Sequence, residues 1–278
     1  MPPCIATELF NERDEELRRE WTERKDRQLN SMLGNFPDGL DGLPSKAEIL
    51  KATKVNPVVW NPLTVLKRSN RQSEESYREQ QLALRLGVNA VNSYSHVFGN
   101  HNVPRGVLTN GAPGAGKTFV LQAQGLYGMS MGLRVMSTSL MAVRSIALGG
   151  IHLHRLFKFE IGKSTDLFRL AEVRRISVIN SQLHRINFTL KDSLGNIMYI
   201  SKLSLDRLHQ KTSLKFLHIL LTMDMLLLDE CGQLSAQQLA LMDIILRHAR
   251  SSALPFGGVL ICGSFDHAQL GSIGGCPF

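Results

Sequence analysis

Residues 111 to 118 decide the fold of this chain; they are Gly111-Ala112-Pro113-Gly114-Ala115-Gly116-Lys117-Thr118. They match G-x-x-x-x-G-K-[ST] at every fixed position, which is the pattern of a phosphate-binding loop, or P-loop. In such a loop the glycines let the backbone curl until its N–H groups point at phosphate oxygens. Lys117 is expected to reach the β- and γ-phosphates of ATP, and the Thr118 hydroxyl to bind Mg²⁺. The helix expected to begin at Lys117 adds its positive end to the same site.

The segments around the loop predict the rest of the fold. Residues 105–110 are typical of a short buried strand, and the apolar run from Phe119 to Met131 favours a helix packed on a sheet. Similar patterns predict strands at 133–138, 224–229 and 257–263 and helices at 73–98 and 235–250. The alternation of strands and helices predicts an α/β fold with a parallel sheet and helices on both faces, that of a P-loop NTPase.

Two acids follow the strand predicted at 224–229. Asp229 and Glu230 end an apolar run, as expected for a strand buried on both faces of a parallel sheet. The carboxyl ends of such strands are where α/β sheets place ligands. Asp229 is therefore expected in the Mg²⁺ shell, and Glu230 is expected to orient or deprotonate the attacking water.

Composition excludes several other classes of protein. The chain has 43% hydrophobic and 20% charged residues, as ordinary globular proteins do. Because no run of 18 apolar residues occurs, we expect no transmembrane helix and no membrane partner. The four cysteines lack metal-type spacing, which predicts free thiols in an intracellular compartment, the nucleus if the source is eukaryotic.

The net charge of +8 is concentrated in one segment. Residues 151–220 contain twelve Lys and Arg against five Asp and Glu, which suggests a polyanion such as nucleic acid; a solvated basic surface is the alternative. Within it, Arg185–Lys191 and Ile197–Lys202 look extended and flank a five-residue turn. They predict a basic β-hairpin insertion within 180–215, with a surface insertion of no special function as the alternative.

Several blocks together resemble the PIF/RecD-type DNA helicases of superfamily 1B, including those of Helitron-type mobile elements. Besides the glycine loop, the similar blocks are His152–Phe157 (motif Ia), Leu228–Ala236 (motif II), and Pro255–Gly263 followed by Gln269 and Leu270 (motif III). The resemblance covers roughly residues 75–278. It implies a RecA-like lobe of an ATP-dependent 5′-to-3′ DNA helicase, a class that acts in DNA repair, recombination and telomere or mobile-element replication.

The resemblance also implies roles at the ATP site. Lys117 stabilises charge that develops on the γ-phosphate, and Gln269 senses that phosphate. An adenine-reading glutamine is implied upstream, at Gln80 or its neighbour Gln81. The predicted nucleotide contacts also include Phe119, which follows the loop. The chain departs from the family pattern at Ser264, where the family has an aspartate.

A single-stranded DNA contact is implied at His154 and Arg155. His154 matches the family's motif Ia histidine, while His152 replaces its threonine. Because Leu153, Leu156 and Phe157 surround it with apolar sequence, a packed histidine is the alternative for His154. Affinity for the DNA backbone is expected to fall as salt rises.

The predicted organisation has two parts and leaves the catalytic outcome open. Residues 1–72 are expected to form a mostly helical or irregular N-terminal extension, in which Ala47–Leu66 is a loosely packed lead-in, and residues 73–278 the RecA-like lobe. Because motifs IV to VI do not follow motif III, we expect a fragment, a degenerate copy derived from a mobile element, or one lobe of a split enzyme completed by a second lobe or by self-association. The alternatives are a nucleotide- and DNA-binding module without turnover, or an ATPase of AAA+ type with Ser264 as its sensor.

Overall fold

The computed structural model describes residues 14–36, 42–67, 72–96, 106–159 and 201–266. The strands are β1 (Gly106–Asn110), β2 (Val135–Ser139), β3 (Ile151–His152), β4 (Met225–Asp229) and β5 (Leu260–Phe265). The helices are α1 (Asp14–Leu33), α2 (Lys46–Lys51), α3 (Glu74–His96), α4 (Lys117–Ser130), α5 (Ala142–Ala147), α6 (Leu153–Phe157), α7 (Leu214–Thr222) and α8 (Ala236–Ala249). Short 3₁₀ turns occur at Pro62–Val65, Lys211–Ser213, Cys231–Gln233 and Pro255–Gly258.

The five strands form one parallel sheet in the order β1-β5-β4-β2-β3. The predicted α/β class is confirmed, since this parallel sheet carries helices on both faces. Because all strands run the same way, their carboxyl ends lie along one edge. β5 separates β1 from β4 and pairs Gly263 with both Leu108 and Leu228. The loop after β1 and the acids after β4 therefore meet at the end of β5.

Two hydrophobic cores lie on opposite faces of the sheet. Met225 and Leu227 of β4 belong to the first core, and Leu226 and Leu228 to the second. This alternation follows from the two-residue period of a strand. The first core also takes buried residues from α1, α3 and α4, and the second from α7 and α8. The strand is thus buried on both faces, as its continuous apolar sequence predicted.

The region before residue 72 packs into the first core. Ile49 and Val65 are buried there with Leu29 and Met32 of α1, so the expectation of a loosely packed lead-in is wrong. The side chain of Gln28 on α1 forms hydrogen bonds with the backbone of β2, as a neighbouring strand would. Its side-chain amide donates to the Val135 carbonyl (3.1 Å) and accepts from the Ser137 N–H (2.9 Å). β3 pairs only with Thr138 and Ser139, so the glutamine satisfies backbone groups that β3 does not reach.

Two predicted strands are corrected. β1 was expected to be buried, yet Gly106, Leu108 and Asn110 are exposed, because β1 pairs with β5 alone among the described strands. The strand predicted from Gly257 begins instead at Leu260. A 3₁₀ turn occupies Pro255–Gly258, with Gly257 in the left-handed region (φ 61°). A Cβ at Gly257 would meet the Leu246 carbonyl of α8 at 2.5 Å; the glycine is thus needed for a close turn.

The predicted hairpin fails where it can be examined. Residues 201–208 are helical, so the extended stretch expected up to Lys202 is wrong at Ser201 and Lys202. Ser201, Ser204, Leu205 and Leu208 are buried, which is the i, i+3, i+4, i+7 spacing of one helix face. Residues 209–215 continue through a 3₁₀ turn into α7. Residues 180–200 of the predicted insertion lie outside the described residues. No described helix has the length and hydropathy that a membrane span requires.

Candidate nucleotide-binding site

The P-loop connects β1 to α4 as predicted. Gly114 and Gly116 have φ values of 77° and 80°, in the left-handed region that glycine enters without steric cost. Gly116 is the N-cap of α4 and has no side chain with which to cap it. A helix end that its N-cap side chain does not cap suits an anion such as phosphate.

Lys117 points its ammonium group back into the loop. Its Nζ donates to the Gly111 carbonyl (2.5 Å) and to the Ala112 carbonyl (2.9 Å). Nζ also lies 3.4 Å from Oδ2 of Asp266. The lysine thus lies within the loop, its contact with phosphates stays a prediction, and the carboxylate of Asp266 beside it was not predicted as part of the site.

Asp229 is buried at the end of β4 with two hydroxyl groups around it. Thr118 Oγ1 lies 3.2 Å from each of its carboxylate oxygens, and Ser264 Oγ donates a short hydrogen bond to Oδ1. The predicted pair of Thr118 and Asp229 therefore meets across 111 residues of sequence. Oxygen ligands of this kind suit Mg²⁺, which takes one or two carboxylates and completes its shell with phosphate and water. Such a site needs no cluster of three metal-binding side chains, and none is found in the described part of the chain.

Glu230 follows in a strained conformation beside this group. Its φ is 55°, unusual for a residue with a side chain, and it begins the 3₁₀ turn Cys231–Gln233. Its carboxylate is nearly buried and lies 3.6 Å from Nη2 of Arg144 on α5. The structure thus brings both predicted acids to one edge of the sheet, but it gives Glu230 a basic partner that the sequence did not indicate.

Gln80 of α3 lies against the loop. Its Nε2 donates to the Ala115 carbonyl (2.6 Å), and a Cβ at Gly116 would lie 2.7 Å from the same nitrogen. Of the two candidate glutamines, Gln80 is therefore the one seen to bond to the loop. Phe119 packs toward the core, with its ring 4.6 Å from that of Phe36. Gln269, expected to sense the γ-phosphate, lies outside the described residues.

The predicted DNA contacts lie at the other end of the same edge, on α6 after β3. The His154 ring stacks on His152 at 5.2 Å and meets the edge of Phe159 at 5.8 Å. Burial, and secondarily the nearby His152, lowers the pKa of His154. His152 is held by the Leu140 carbonyl at 2.7 Å. Nδ1 of His154 is buried without a hydrogen-bond partner in the described chain. His154 is thus half-buried and in contact with other rings, and its contact with DNA stays a prediction.

Arg155 belongs to a basic cluster that the sequence did not reveal. Arg155, Lys158 and Lys215 place their charged groups 5.7, 4.4 and 5.7 Å from the centre of the Phe216 ring. Burial, followed by the charges of Arg155 and Lys215, lowers the pKa of Lys158. Among the described residues, Glu20 lies 3.9 Å from Lys215 and partly balances the charge of the cluster. Lys158 and Lys215 are 57 positions apart, so only the fold joins them.

Solved structures to which the chain is similar are Pif1 helicases. One from Candida albicans shares 17% identity, with a TM-score of 0.46, over 74% of this chain and 34% of that chain. A Bacteroides Pif1 bound to single-stranded DNA shares 22% identity, with a TM-score of 0.43, over 70% and 33%. This chain thus spans about a third of the length of those helicases. No protein-family model and no curated protein matches the sequence.

Proposed function

We propose that this chain is the ATP-binding RecA-like lobe of an ATP-dependent DNA helicase. The observation that carries the proposal is the meeting of Lys117, Thr118 and Asp229 at the carboxyl edge of a parallel sheet. The loop before α4 supplies backbone N–H groups for phosphate, and the hydroxyl and carboxylate supply oxygen ligands for Mg²⁺. The substrate is Mg·ATP, and turnover is coupled to single-stranded DNA.

The residues of the chain divide the hydrolytic work. Lys117 neutralises charge on the transferred phosphoryl group, and Thr118 with Asp229 holds the ion. Glu230 orients the attacking water or accepts a proton from it once Arg144 has released the Glu230 carboxylate. The ion pair between them is weak, because it spans 3.6 Å and the Arg144 side chain is exposed. Gln80 couples the adenine end of the nucleotide to the loop, a role that its bond to Ala115 supports, and Gln269 senses the γ-phosphate.

The DNA partner is assigned to the far end of the same edge. His154 and Arg155 on α6, with Lys158 and Lys215 beside them, form a cationic surface suited to a phosphate backbone. We propose 5′-to-3′ translocation, a role in DNA repair, recombination or element replication, and an intracellular location, nuclear in a eukaryote. A second RecA-like lobe completes the ATP site.

A binding module without turnover is the second candidate. It is favoured by the position of Glu230, whose carboxylate is held toward Arg144 in a strained backbone conformation. Ser264 also supports it, since a neutral hydroxyl rather than a carboxylate reaches Asp229. The third candidate, an AAA+ ATPase, needs Ser264 to face the nucleotide, and its hydroxyl instead donates to Asp229.

ATP hydrolysis by the purified chain tests the proposal. Phosphate release is measured with Mg²⁺, with and without single-stranded DNA, for wild type, Lys117→Ala and the matched surface control Lys51→Ala. We expect DNA-stimulated turnover that Lys117→Ala lowers at least about 100-fold and that Lys51→Ala leaves unchanged. Nucleotide binding without turnover, with or without DNA, would leave the binding module. Turnover that is equal in Lys117→Ala would contradict both.

A further inference from the structure

Asp266 is a buried carboxylate to which the proposed hydrolysis assigns no role. It follows the last residue of β5, and only 2% of its side chain is exposed. Its Oδ2 lies 3.4 Å from the ammonium nitrogen of Lys117, whose own side chain is 10% exposed. A carboxylate buried this far is costly unless a positive group compensates it. Lys117 therefore has a structural partner as well as the phosphates that it is expected to bind.

The local backbone explains why Asp266 reaches the loop. In an extended segment, residues two apart point to the same side, so Asp266 shares a side with Ser264, and Phe265 points to the second core. Ser264 donates to Asp229, and Asp266 lies beside Lys117. The N–H of Gly111 donates to the Phe265 carbonyl (3.3 Å), and this bond ties the start of the loop to the residue before Asp266. Ser264 thus contacts the negative group of the site, Asp229, and Asp266 contacts the positive group, Lys117.

Three acceptors therefore surround the Lys117 ammonium, which has three protons to donate. They are the Gly111 and Ala112 carbonyls and the Asp266 carboxylate. A β- or γ-phosphate oxygen can bind the ammonium only by replacing one of them. A phosphate that replaces Asp266 removes the positive group that compensates this buried carboxylate, and losing that compensation is costly. Asp266 must therefore oppose the binding of nucleotides that carry a β-phosphate.

We propose that Asp266 is a positioning residue that competes with nucleotide phosphates for Lys117 and so lowers the affinity of the loop for nucleotide. The proposal rests on the nucleotide site proposed above. It assigns Asp266 an effect opposite to that of a residue needed only for structure: its removal strengthens binding. A lower affinity for ADP favours product release, a step that commonly limits turnover.

Calorimetric titration of ADP with Mg²⁺ tests the proposal on wild type and Asp266→Asn. The amide keeps the shape of the carboxylate and removes its charge. We expect Kd for Mg·ADP to fall about tenfold, the equivalent of one charge-assisted hydrogen bond no longer competed for. The control Asp26→Asn removes a surface carboxylate that pairs with Lys46 (2.6 Å) and is expected to leave Kd unchanged. An unchanged or larger Kd in Asp266→Asn overturns the proposal.

Two further variants make the test decisive. In a Lys117→Met background, Asp266→Asn is expected to leave Kd for Mg·ADP unchanged, because the competition acts through the lysine; an equal gain there would show direct repulsion and overturn the role through Lys117. If Asp266→Asn does not fold, Asp266→Ser removes the same charge from a smaller side chain. Failure of wild type to bind ADP at all would reject the nucleotide site itself, whereas equal binding by wild type and Asp266→Asn rejects only this inference.

Discussion

The two ends of the carboxyl edge of the sheet are built in different ways. At the end formed by β1, β5 and β4, one continuous loop supplies the lysine, the hydroxyl and the helix end, and Asp229 completes the group. At the end formed by β3 and α6, three cations from two distant segments gather around Phe216. The first end is specified by local sequence, and the second exists only through packing. Substitutions at the second end should therefore change folding or DNA binding and leave nucleotide binding intact.

Removal of the Phe216 ring is expected to have the largest effect. Its side chain is buried in the second core, so Phe216→Ala leaves a cavity and should cost about 3–5 kcal/mol of the free energy of unfolding. Phe216→Leu, which keeps most of the volume, should cost about 1.5 kcal/mol or less. Urea unfolding followed by circular dichroism gives both values. Similar, small losses in the two variants would show that the ring does not organise this end.

Features set by local sequence were predictable, and features set by packing between distant segments were not. The P-loop and the pairing of Thr118 with Asp229 were predictable because each residue type has a fixed place in a repeated motif. The exposure of β1 was not, because an apolar strand has the same sequence pattern at an edge as at the centre of a sheet. The late start of β5 depends on a glycine turn packed on α8, a contact between segments.

Two further features have a pattern in the sequence, namely the position of Asp266 and the helix after residue 200. Side chains two residues apart in a strand face the same side, so Ser264 and Asp266 are expected on one side of the sheet. This alternation predicts a second carboxylate near the loop. The spacing of Ser201, Ser204, Leu205 and Leu208 is helical, and it outweighs the extended-looking sequence that predicted a strand as far as Lys202. By contrast, the bond from Gln28 to β2 carries no sequence signature, because it joins positions more than 100 residues apart.

Loss of two lysines of the basic cluster is expected to have an intermediate effect. The double variant Lys158→Ala/Lys215→Ala should weaken binding of single-stranded DNA about tenfold at moderate salt, and lower the slope of log K against log salt by about 1 to 2. Fluorescence anisotropy of a labelled oligonucleotide across a salt series measures both. Lys211→Ala, which removes an exposed lysine of the neighbouring 3₁₀ turn, is the control.

The double lysine variant also tests whether the two ends of the sheet edge bind their ligands independently. We expect Mg·ADP affinity to be equal in the double lysine variant and in wild type, since the cations contact Phe216 and not the P-loop. A parallel loss of ADP affinity would show that the two ends are coupled in the isolated lobe. Equal DNA binding by the variant and wild type would remove the cluster from the proposed DNA surface.

The smallest expected effect is a pH dependence at His154. Its folded-state pKa is lowered, first by burial and then by His152, so the unfolded chain binds the proton more readily. The contribution to stability is therefore fully present above the unfolded pKa, about 6.5, and is lost as pH falls through the lowered folded pKa. Urea unfolding of wild type and His154→Gln between pH 8 and pH 5 isolates it. The difference in unfolding free energy should shrink toward low pH, because only wild type must accept a charge in that packed position. A constant difference would mean that His154 remains solvated and able to hold a proton in the fold, which would favour the DNA contact over the packed histidine.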